Sequence, residues 1–111
     1  MVFIESHAFT RRLRELAGDS ADDVLREIQD DLAENPGRGD VVQGLGGIRK
    51  ARAANPARAK GKRGGYRYLF IYLESKDHIH LLYLLDKNEQ ADLDKEQRKT
   101  LRRMVSDLKR L

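Results

Sequence analysis

The chain has 111 residues, and its net charge of +4 and pI near 9.5 make it basic. Hydrophobic residues form 40% and charged residues 36% of it, which favours one globular domain over residues 1–111 and excludes a disordered chain. The sequence has no cysteine, which excludes disulfides, thiolate zinc sites and a cysteine nucleophile. It shows neither a bilayer-length apolar run nor a signal-peptide pattern, so we expect a cytoplasmic protein without a membrane partner.

The positive charge is concentrated in the middle of the chain. Residues 1–40 carry five basic and ten acidic residues, residues 41–73 carry eight basic and no acidic residues, and residues 74–111 carry nine and eight. A basic block on an otherwise balanced domain is the pattern expected for a polyanionic ligand such as nucleic acid. The alternative is a solvated loop whose charges only aid solubility.

The N-terminal third predicts one strand and two helices. Val2–Ile4 is a short apolar run of the kind that forms a strand. Ser6 is the predicted N-cap of a first helix, which ends at Gly18. Ser20 is predicted to cap a second helix, which Asn35-Pro36-Gly37 terminates. Both helices have an apolar stripe at helical spacing, formed by Phe9, Leu13, Leu16 and Ala17 in the first and by Val24, Leu25, Ile28 and Leu32 in the second.

The central part of the chain predicts three strands. Gly44–Gly47 is a turn that needs unusual backbone angles, and it leads into a strand over Ile48–Ala53. The period of that strand puts Lys50 and Arg52 on one face and Ala51 and Ala53 on the other. After a basic loop over residues 54–65, the apolar runs Gly65–Leu73 and Ile79–Leu85 predict a β-hairpin.

A C-terminal helix completes the predicted elements. Asp94 can cap this helix, with Gln97 three residues later as in a capping box. Its apolar stripe consists of Leu101, Met104, Val105, Leu108 and Leu111. The expected fold is therefore α+β, with two N-terminal helices on a mostly antiparallel four-stranded sheet in the order β-αα-β-β-β, followed by a helix.

Several familiar site patterns are incomplete. The glycines of the Gly44–Gly47 turn match neither a dinucleotide-binding nor a P-loop pattern. The segment that begins at Asp86 departs from a calcium-binding loop at two required positions. His78 and His80 would share a strand face but have no evident third ligand. We therefore expect neither a metal nor another cofactor, and the remaining chemistry is that of lysine, arginine and tyrosine in the basic block.

Four segments of the sequence are similar to motifs of one protein family. Residues 41–52 include Gly-Leu-Gly-Gly-Ile-Arg-Lys-Ala-Arg, which is similar to the G-x-G-G-(Leu/Ile)-R-K-x-R segment of HigB-type toxins in the RelE superfamily. Gly61–Arg67 is similar to their G-K-x-G-G-x-R segment, and Lys87–Leu93 to their K-N-E-x-x-D-L segment. Asn35–Asp40 matches their N-P-x-x-G-D. Because these motifs occur in the family's order, the sequence resembles this family over nearly its whole length.

The resemblance implies a toxin of a type II toxin–antitoxin pair, with a RelE-like fold of two N-terminal helices and a curved antiparallel sheet. Many such toxins enter the ribosomal A site and cleave mRNA without a metal, whereas the related ParE toxins poison DNA gyrase. We therefore expect a ribosome-dependent mRNA endonuclease, an mRNA interferase that inhibits translation. A gyrase inhibitor and a non-enzymatic nucleic-acid-binding module are the alternatives.

The resemblance also implies partners and site residues. The expected partners are the 70S ribosome with mRNA, a cognate antitoxin of the HigA-like helix-turn-helix type, and operator DNA only through the antitoxin complex. The paired basic residues of the family's second strand match Lys50 and Arg52, and its G-Y-R segment matches Arg67. Its basic position after the fourth strand is best matched by Lys87. The tyrosine that RelE has near its C-terminus falls at about Asp94.

RNA cleavage by the 2′-hydroxyl needs a base, charge stabilisation at the phosphate and an acid for the leaving 5′-oxygen. Arginine stays protonated, so Arg52 and Arg67 are predicted to stabilise phosphate charge. Nearby positive charges favour the neutral form of a lysine. Lys50, which we expect to face Arg67 across the strand pair, or Lys87 is therefore predicted to transfer protons. The predicted RNA-binding residues are Arg49, Arg58, Lys60, Lys62, Arg63, Tyr66 and Tyr68.

Those RNA-binding residues have two predicted roles. The cations of the 54–65 loop are expected to dock on ribosomal RNA, and the tyrosines are candidates for stacking on bases. Packing in the sheet is the alternative for each tyrosine, and phosphate binding without chemistry is the alternative for Lys50 and Arg67.

Overall fold

The computed structural model describes residues 1–53, 65–86, 89 and 93–111. The helices and strands in these ranges are β1 (Val2–Glu5), α1 (His7–Ala17), α2 (Ala21–Glu34), β2 (Asp40–Val41), β3 (Arg49–Ala53), β4 (Tyr66–Leu73), β5 (His78–Asp86) and α3 (Lys95–Arg110). The predicted α+β class, the two N-terminal helices and the C-terminal helix are confirmed. None of the helices in these ranges is long and apolar enough to cross a membrane.

The strands form one five-stranded sheet in the order β1-β5-β4-β3-β2. β1 runs parallel to β5, and the other neighbouring strands are antiparallel. The prediction of four strands is wrong, because Asp40 and Val41 add a short edge strand that pairs with Lys50 and Arg49. A strand of two residues is too short to show the alternation by which strands are predicted.

The helices cover both faces of the sheet. On one face, α1 and α2 pack on β3, β4 and β5 through a buried cluster that includes Phe9, Val24, Ile28, Leu32, Ala51, Ala53, Tyr66, Tyr68, Phe70, Ile79, Leu81 and Leu84. On the other face, α3 packs through Leu45, Ile48, Leu69, Ile71, Leu82, Leu101 and Val105. The sheet therefore separates an α1–α2 layer from an α3 layer, and both layers bury apolar surface against it.

Two of the three predicted helix caps are confirmed. The Ser6 hydroxyl accepts a hydrogen bond from the Phe9 amide at 3.0 Å and donates one to the Leu82 carbonyl at 2.8 Å, which joins α1 to β5. Asp94 and Gln97 form a complete capping box at the start of α3. The Ser20 side chain makes no capping hydrogen bond, because a 3₁₀ turn over Gly18–Ser20 leads directly into α2.

The buried His80 makes the stability of the fold depend on pH. Its side chain is 8% exposed, and burial lowers its pKa, with the nearby His78 and Lys76 acting in the same direction. The folded state therefore prefers neutral His80, whereas in the unfolded chain this side chain binds a proton near pH 6.5. Its stabilising contribution is complete above the unfolded pKa and is lost as the pH falls below it.

We expect the free energy of unfolding to decrease below about pH 6.5, with a slope from this proton of at most about 1.4 kcal/mol per pH unit. Urea titrations between about pH 5 and pH 8 measure this slope. His80→Gln should flatten it, whereas His7→Gln, at an exposed position on α1, should leave it unchanged. An equal slope in His80→Gln and the parent contradicts the assignment.

A candidate nucleic-acid interface

Strand β3 presents Lys50 and Arg52 on one face of the sheet and Ala51 and Ala53 on the other. Ala51 and Ala53 are buried in the α1–α2 layer. Lys50 is half-buried and Arg52 is exposed, and the alternation of the strand places both on the α3 side. The predicted division of this strand into a cationic and an apolar face is therefore confirmed.

Three of the predicted site residues lie together. Arg52 lies directly opposite Arg67 in the β3–β4 pair, and Lys50 lies opposite Leu69. The expectation that Lys50 faces Arg67 is wrong, because the register brings the two arginines into direct opposition and leaves Lys50 on the diagonal. Lys50, Arg52 and Arg67 line one pocket of about 380 Å³. Like charges at directly opposed strand positions destabilise the pair, and an anion bound between the two guanidinium groups relieves that repulsion.

A carboxylate that was not among the predicted site residues also borders this pocket. Asp40 on β2 is the register partner of Lys50, so both side chains lie on the same face. β2 can approach β3 here because Gly39 precedes Asp40. Gly39 has a φ of +72°, and a Cβ at this position would lie 2.0 Å from the Lys50 carbonyl oxygen. The glycine is therefore required on steric and conformational grounds.

α3 extends the cationic surface. A neighbouring pocket of about 440 Å³ is lined by Lys50 and Asp40 on the sheet and by Arg98 on α3. The Arg98 guanidinium donates a hydrogen bond to the Gln43 carbonyl, which fixes the start of α3 next to the pocket. We call Lys50, Arg52, Arg67 and Arg98 the cationic groove. Arg98 was not among the predicted site residues, because the helical period identifies only the apolar stripe of α3.

The comparison with protein families agrees with this architecture. A family model described as the RelE toxin of the RelE/RelB toxin–antitoxin system matches residues 7–111. The chain belongs to the RelE toxin family. The match covers all three helices and strands β2 to β5, including every residue of the cationic groove.

Solved structures of RelE-type systems share the fold. A chain of the RelBE2 toxin–antitoxin complex of Mycobacterium tuberculosis is 20% identical, with a TM-score of 0.60 over 78% of this chain and 96% of that one. The isolated RelE toxin of E. coli is 12% identical, with a TM-score of 0.56 over 93% and 97% of the two chains. A chain of the intact E. coli RelBE complex is 14% identical, with a TM-score of 0.55 over 79% and 98%. These similarities show that the chain has the RelE-like fold.

The two tyrosines predicted to bind RNA are core residues of this RelE-family toxin. Tyr66 is 3% and Tyr68 0% exposed, and the Tyr66 hydroxyl donates a hydrogen bond to the Leu16 carbonyl at 3.2 Å. The prediction that they stack on bases is wrong, because both flank Arg67 in the strand and so point to the opposite face. Burial raises the pKa of Tyr68, and the carboxylates of Asp31 and Glu27 add to this effect.

Two further residues of the RelE-family toxin have structural roles. The Arg49 side chain donates hydrogen bonds to the carbonyls of Gly37 and Gly39 at 3.1 and 3.2 Å. Because Arg49 alternates with Lys50, it lies on the other face of β3 and does not belong to the cationic groove. Asp94, near which the sequence resemblance predicted the RelE tyrosine position to fall, accepts a hydrogen bond from the Gln97 amide at 2.8 Å as the cap of α3.

The remaining predicted site residues lie outside the described residues. They are the predicted proton-transfer residue Lys87 and the cations of the basic loop, Arg58, Lys60, Lys62 and Arg63. Their roles remain predictions.

Arg12 connects α1 to the chain that follows β5. Its Nε donates a hydrogen bond to the Leu84 carbonyl at 3.0 Å, and its guanidinium lies 5.4 Å from the centre of the Tyr83 ring. It also forms an ion pair with Glu89, whose carboxylate accepts a hydrogen bond from the Asp86 amide at 3.1 Å. The glutamate of the K-N-E-x-x-D-L motif therefore holds the end of β5 against α1.

We expect Arg12→Ala to lower the free energy of unfolding by about 1–3 kcal/mol, because it leaves a partly buried carbonyl and a carboxylate without this partner. Arg11→Ala is the matched control. Arg11 is exposed and its only described ion pair is with Glu15, at 3.9 Å, so its loss should change stability by less than about 1 kcal/mol. Urea unfolding of both variants measures the difference, and equal losses contradict the role of Arg12.

Proposed function

We propose that this RelE-family toxin is a ribosome-dependent mRNA endonuclease of the HigB type, which cleaves through attack of an RNA 2′-hydroxyl on the adjacent phosphate. The observation that carries the proposal is the single pocket lined by Lys50, Arg52 and Arg67. A protein-binding poison has no need of clustered cations in a groove, whereas a phosphodiester substrate does. The motifs at residues 35–52, 61–67 and 87–93 support the HigB type.

The two opposed arginines supply the charge stabilisation in this proposal. The phosphate binds between the Arg52 and Arg67 guanidinium groups, where each can donate charge-assisted hydrogen bonds to its oxygens. Negative charge builds up on these oxygens when the 2′-oxygen attacks. The arginines therefore interact more strongly with the transition state than with the bound RNA, which is the condition for acceleration.

The lysines carry the proton transfers in this proposal. Lys50 lies in the same pocket, and Asp40, its register partner, provides a carboxylate that can orient the ammonium group. One of Lys50 and Lys87 accepts the proton of the 2′-hydroxyl, and the other donates a proton to the departing 5′-oxygen. The pH–rate profiles of Lys50→Gln and Lys87→Gln test this division, because each variant should lose one limb of the profile.

A reconstituted translation reaction with primer-extension mapping tests the activity. Cuts in phase with codons that appear only when ribosomes translate the mRNA support the proposal. Inhibition of DNA supercoiling by gyrase, with the mRNA intact, would make the protein a ParE-type poison. Binding of RNA without either effect would leave a non-enzymatic binding module.

We also propose that a cognate antitoxin, of the HigA-like helix-turn-helix type, neutralises the toxin and supplies the binding to operator DNA. An acidic segment of such a partner is attracted to the cationic groove. If the antitoxin covers the groove, the Arg52→Ala/Arg67→Ala variant should bind it more weakly by about 1–3 kcal/mol, or about 5- to 150-fold. Arg11→Ala/Arg26→Ala, in the α1–α2 layer, is the matched control. Unchanged affinity of the groove variant in calorimetry places the antitoxin elsewhere.

A further inference from the structure

α3 carries a second set of basic side chains outside the cationic groove. Its sequence contains seven basic and two acidic residues. Six of the basic side chains are exposed. Lys109 donates a hydrogen bond to the Gly46 carbonyl at 2.8 Å, and the other five form what we call the outer face of α3: Lys95, Lys99, Arg102, Arg103 and Arg110.

The outer face is a continuous stripe along the helix. At 100° per residue, its side chains lie within about one third of the helix circumference, opposite the buried Leu101 and Val105. From Lys95 to Arg110 the stripe extends over about 22 Å. None of the ion pairs formed within the described ranges includes a side chain of the outer face. These cations are therefore available to an external anion.

The sheet separates this positive surface from a negative one. α2 contains six acidic residues and one basic residue, and it lies in the layer on the opposite side of the sheet. A polyanion is thus attracted to the α3 side and repelled from the α2 side. Arg98 joins the start of α3 to the groove, so the outer face and the groove belong to the same side of the molecule.

We propose that the outer face of α3 binds the phosphodiester backbone of duplex RNA and docks the toxin beside the single strand that enters the groove. Arginine is also common in protein interfaces, but the centre of such an interface is usually depleted of charge and contains aromatic or other apolar anchors beside it. The exposed large hydrophobic residues among the described ones are Met1, Val2, Val41 and Leu111, none of which lies within α3. Backbone contacts to nucleic acid need only lysine and arginine, and a single strand would require stacking aromatics that the outer face lacks.

This docking role rests on the proposed function in one respect: ribosomal RNA is the duplex that a ribosome-dependent toxin meets. The binding itself is measured without ribosomes, so the two proposals can fail separately. A toxin that cuts no mRNA but binds a duplex through α3 contradicts only the proposed function. A toxin that cuts mRNA in phase with codons but does not use α3 for duplex binding contradicts only the docking role.

The test compares two triple variants that lose the same charge. Lys99→Gln/Arg102→Gln/Arg103→Gln removes the centre of the outer face, and Arg11→Gln/Arg14→Gln/Arg26→Gln removes three exposed arginines from α1 and α2. Glutamine keeps a high helix propensity in both. The probe is a blunt RNA duplex of about 20 base pairs, titrated by fluorescence anisotropy from about 50 to 200 mM salt.

We expect the α3 variant to bind the duplex at least about tenfold more weakly at low salt, with a log–log salt slope smaller by about 2–3, by the rule for duplex DNA. The α1–α2 variant should stay within about twofold of the parent, because only the long-range field changes. Equal losses of duplex affinity in the two variants mean that only the net charge of the protein matters. Parent-like affinity of the α3 variant means that the duplex binds elsewhere. Either result overturns the proposal. Weaker binding of a polyglutamate peptide, with unchanged duplex binding, overturns it in favour of an acidic protein.

Circular dichroism checks that α3 is folded in the triple variant. If it is not, the single variant Arg103→Gln replaces it, with an expected decrease in slope of about 0.9. An unchanged slope in that single variant overturns the proposal equally.

Discussion

Arg67→Gln is expected to abolish toxicity and to make the folded protein more stable. The side chain lies directly opposite Arg52 and lines the pocket with Lys50. In the proposed mechanism, loss of one charged donor to the reacting phosphate should decrease mRNA cleavage by about 100-fold or more. Removal of one of two like charges in direct opposition should increase the free energy of unfolding by about 0.2–1 kcal/mol.

The two effects have separate measurements and a shared control. Primer extension in a translation reaction measures cleavage, and urea unfolding at low and high salt measures stability. The gain in stability should shrink as salt screens the pair. Arg26→Gln removes an exposed arginine from the other side of the sheet and should leave cleavage unchanged. Full cleavage by folded Arg67→Gln removes Arg67 from the site, and a loss of stability contradicts the assigned repulsion.

Gly39→Ala is expected to damage the fold and the site together. The new Cβ would lie 2.0 Å from the Lys50 carbonyl oxygen, and the residue would keep a φ of +72° that L side chains rarely adopt. The chain can relieve the clash only by moving β2 away from β3, which breaks the pairing of Asp40 with Lys50. We expect a loss of about 2–4 kcal/mol of unfolding free energy and of most of the cleavage activity.

Gly18→Ala is the matched control for this substitution. Gly18 also has a positive φ, +52°, but a Cβ at this position meets no atom within 4 Å. It should therefore show only the conformational cost of about 1–3 kcal/mol and keep its cleavage activity. If both variants lose the same stability in urea and retain activity, the close approach of β2 and β3 has no role in the site.

The sequence predicted most of the elements because their signals are local. The caps at Ser6 and Asp94 and the alternation of Lys50 and Arg52 depend on residues close to one another in the chain. The same alternation of side chains also argues against the predicted stacking of Tyr66 and Tyr68 on bases. Both differ from Arg67 by one position, so they and Arg67 could not all face the same RNA.

The contacts that the sequence did not predict are non-local. The register that opposes Arg52 to Arg67 is set by how β3 and β4 pair across residues 54–65, and a strand pattern does not contain it. Asp40 enters the site through a two-residue strand, and Arg12 meets Glu89 across 77 positions of the chain. Only the folded chain brings such residues together.

The charge summed over residues 74–111 does not reveal that α3 is basic. Residues 74–111 are nearly balanced because acidic residues before α3 offset the basic residues within it. In the fold, α3 forms a layer of its own, and the residues within it have a net positive charge. Charge counted over structural elements therefore indicates a binding surface that charge counted over segments of sequence does not.

The parallel pairing of β1 with β5 has a consequence for how the protein folds. Among the described strands, β1 has no partner until β5 has been made, and the Ser6–Leu82 hydrogen bond that anchors β1 spans 76 positions. Such distant contacts are formed late, because the entropy of closing the intervening chain must be overcome first. A chain still under synthesis can form α1, α2 and the β3–β4 pair, but it cannot close the sheet before β5 is made. Most of the chain is therefore synthesised before the complete fold can form.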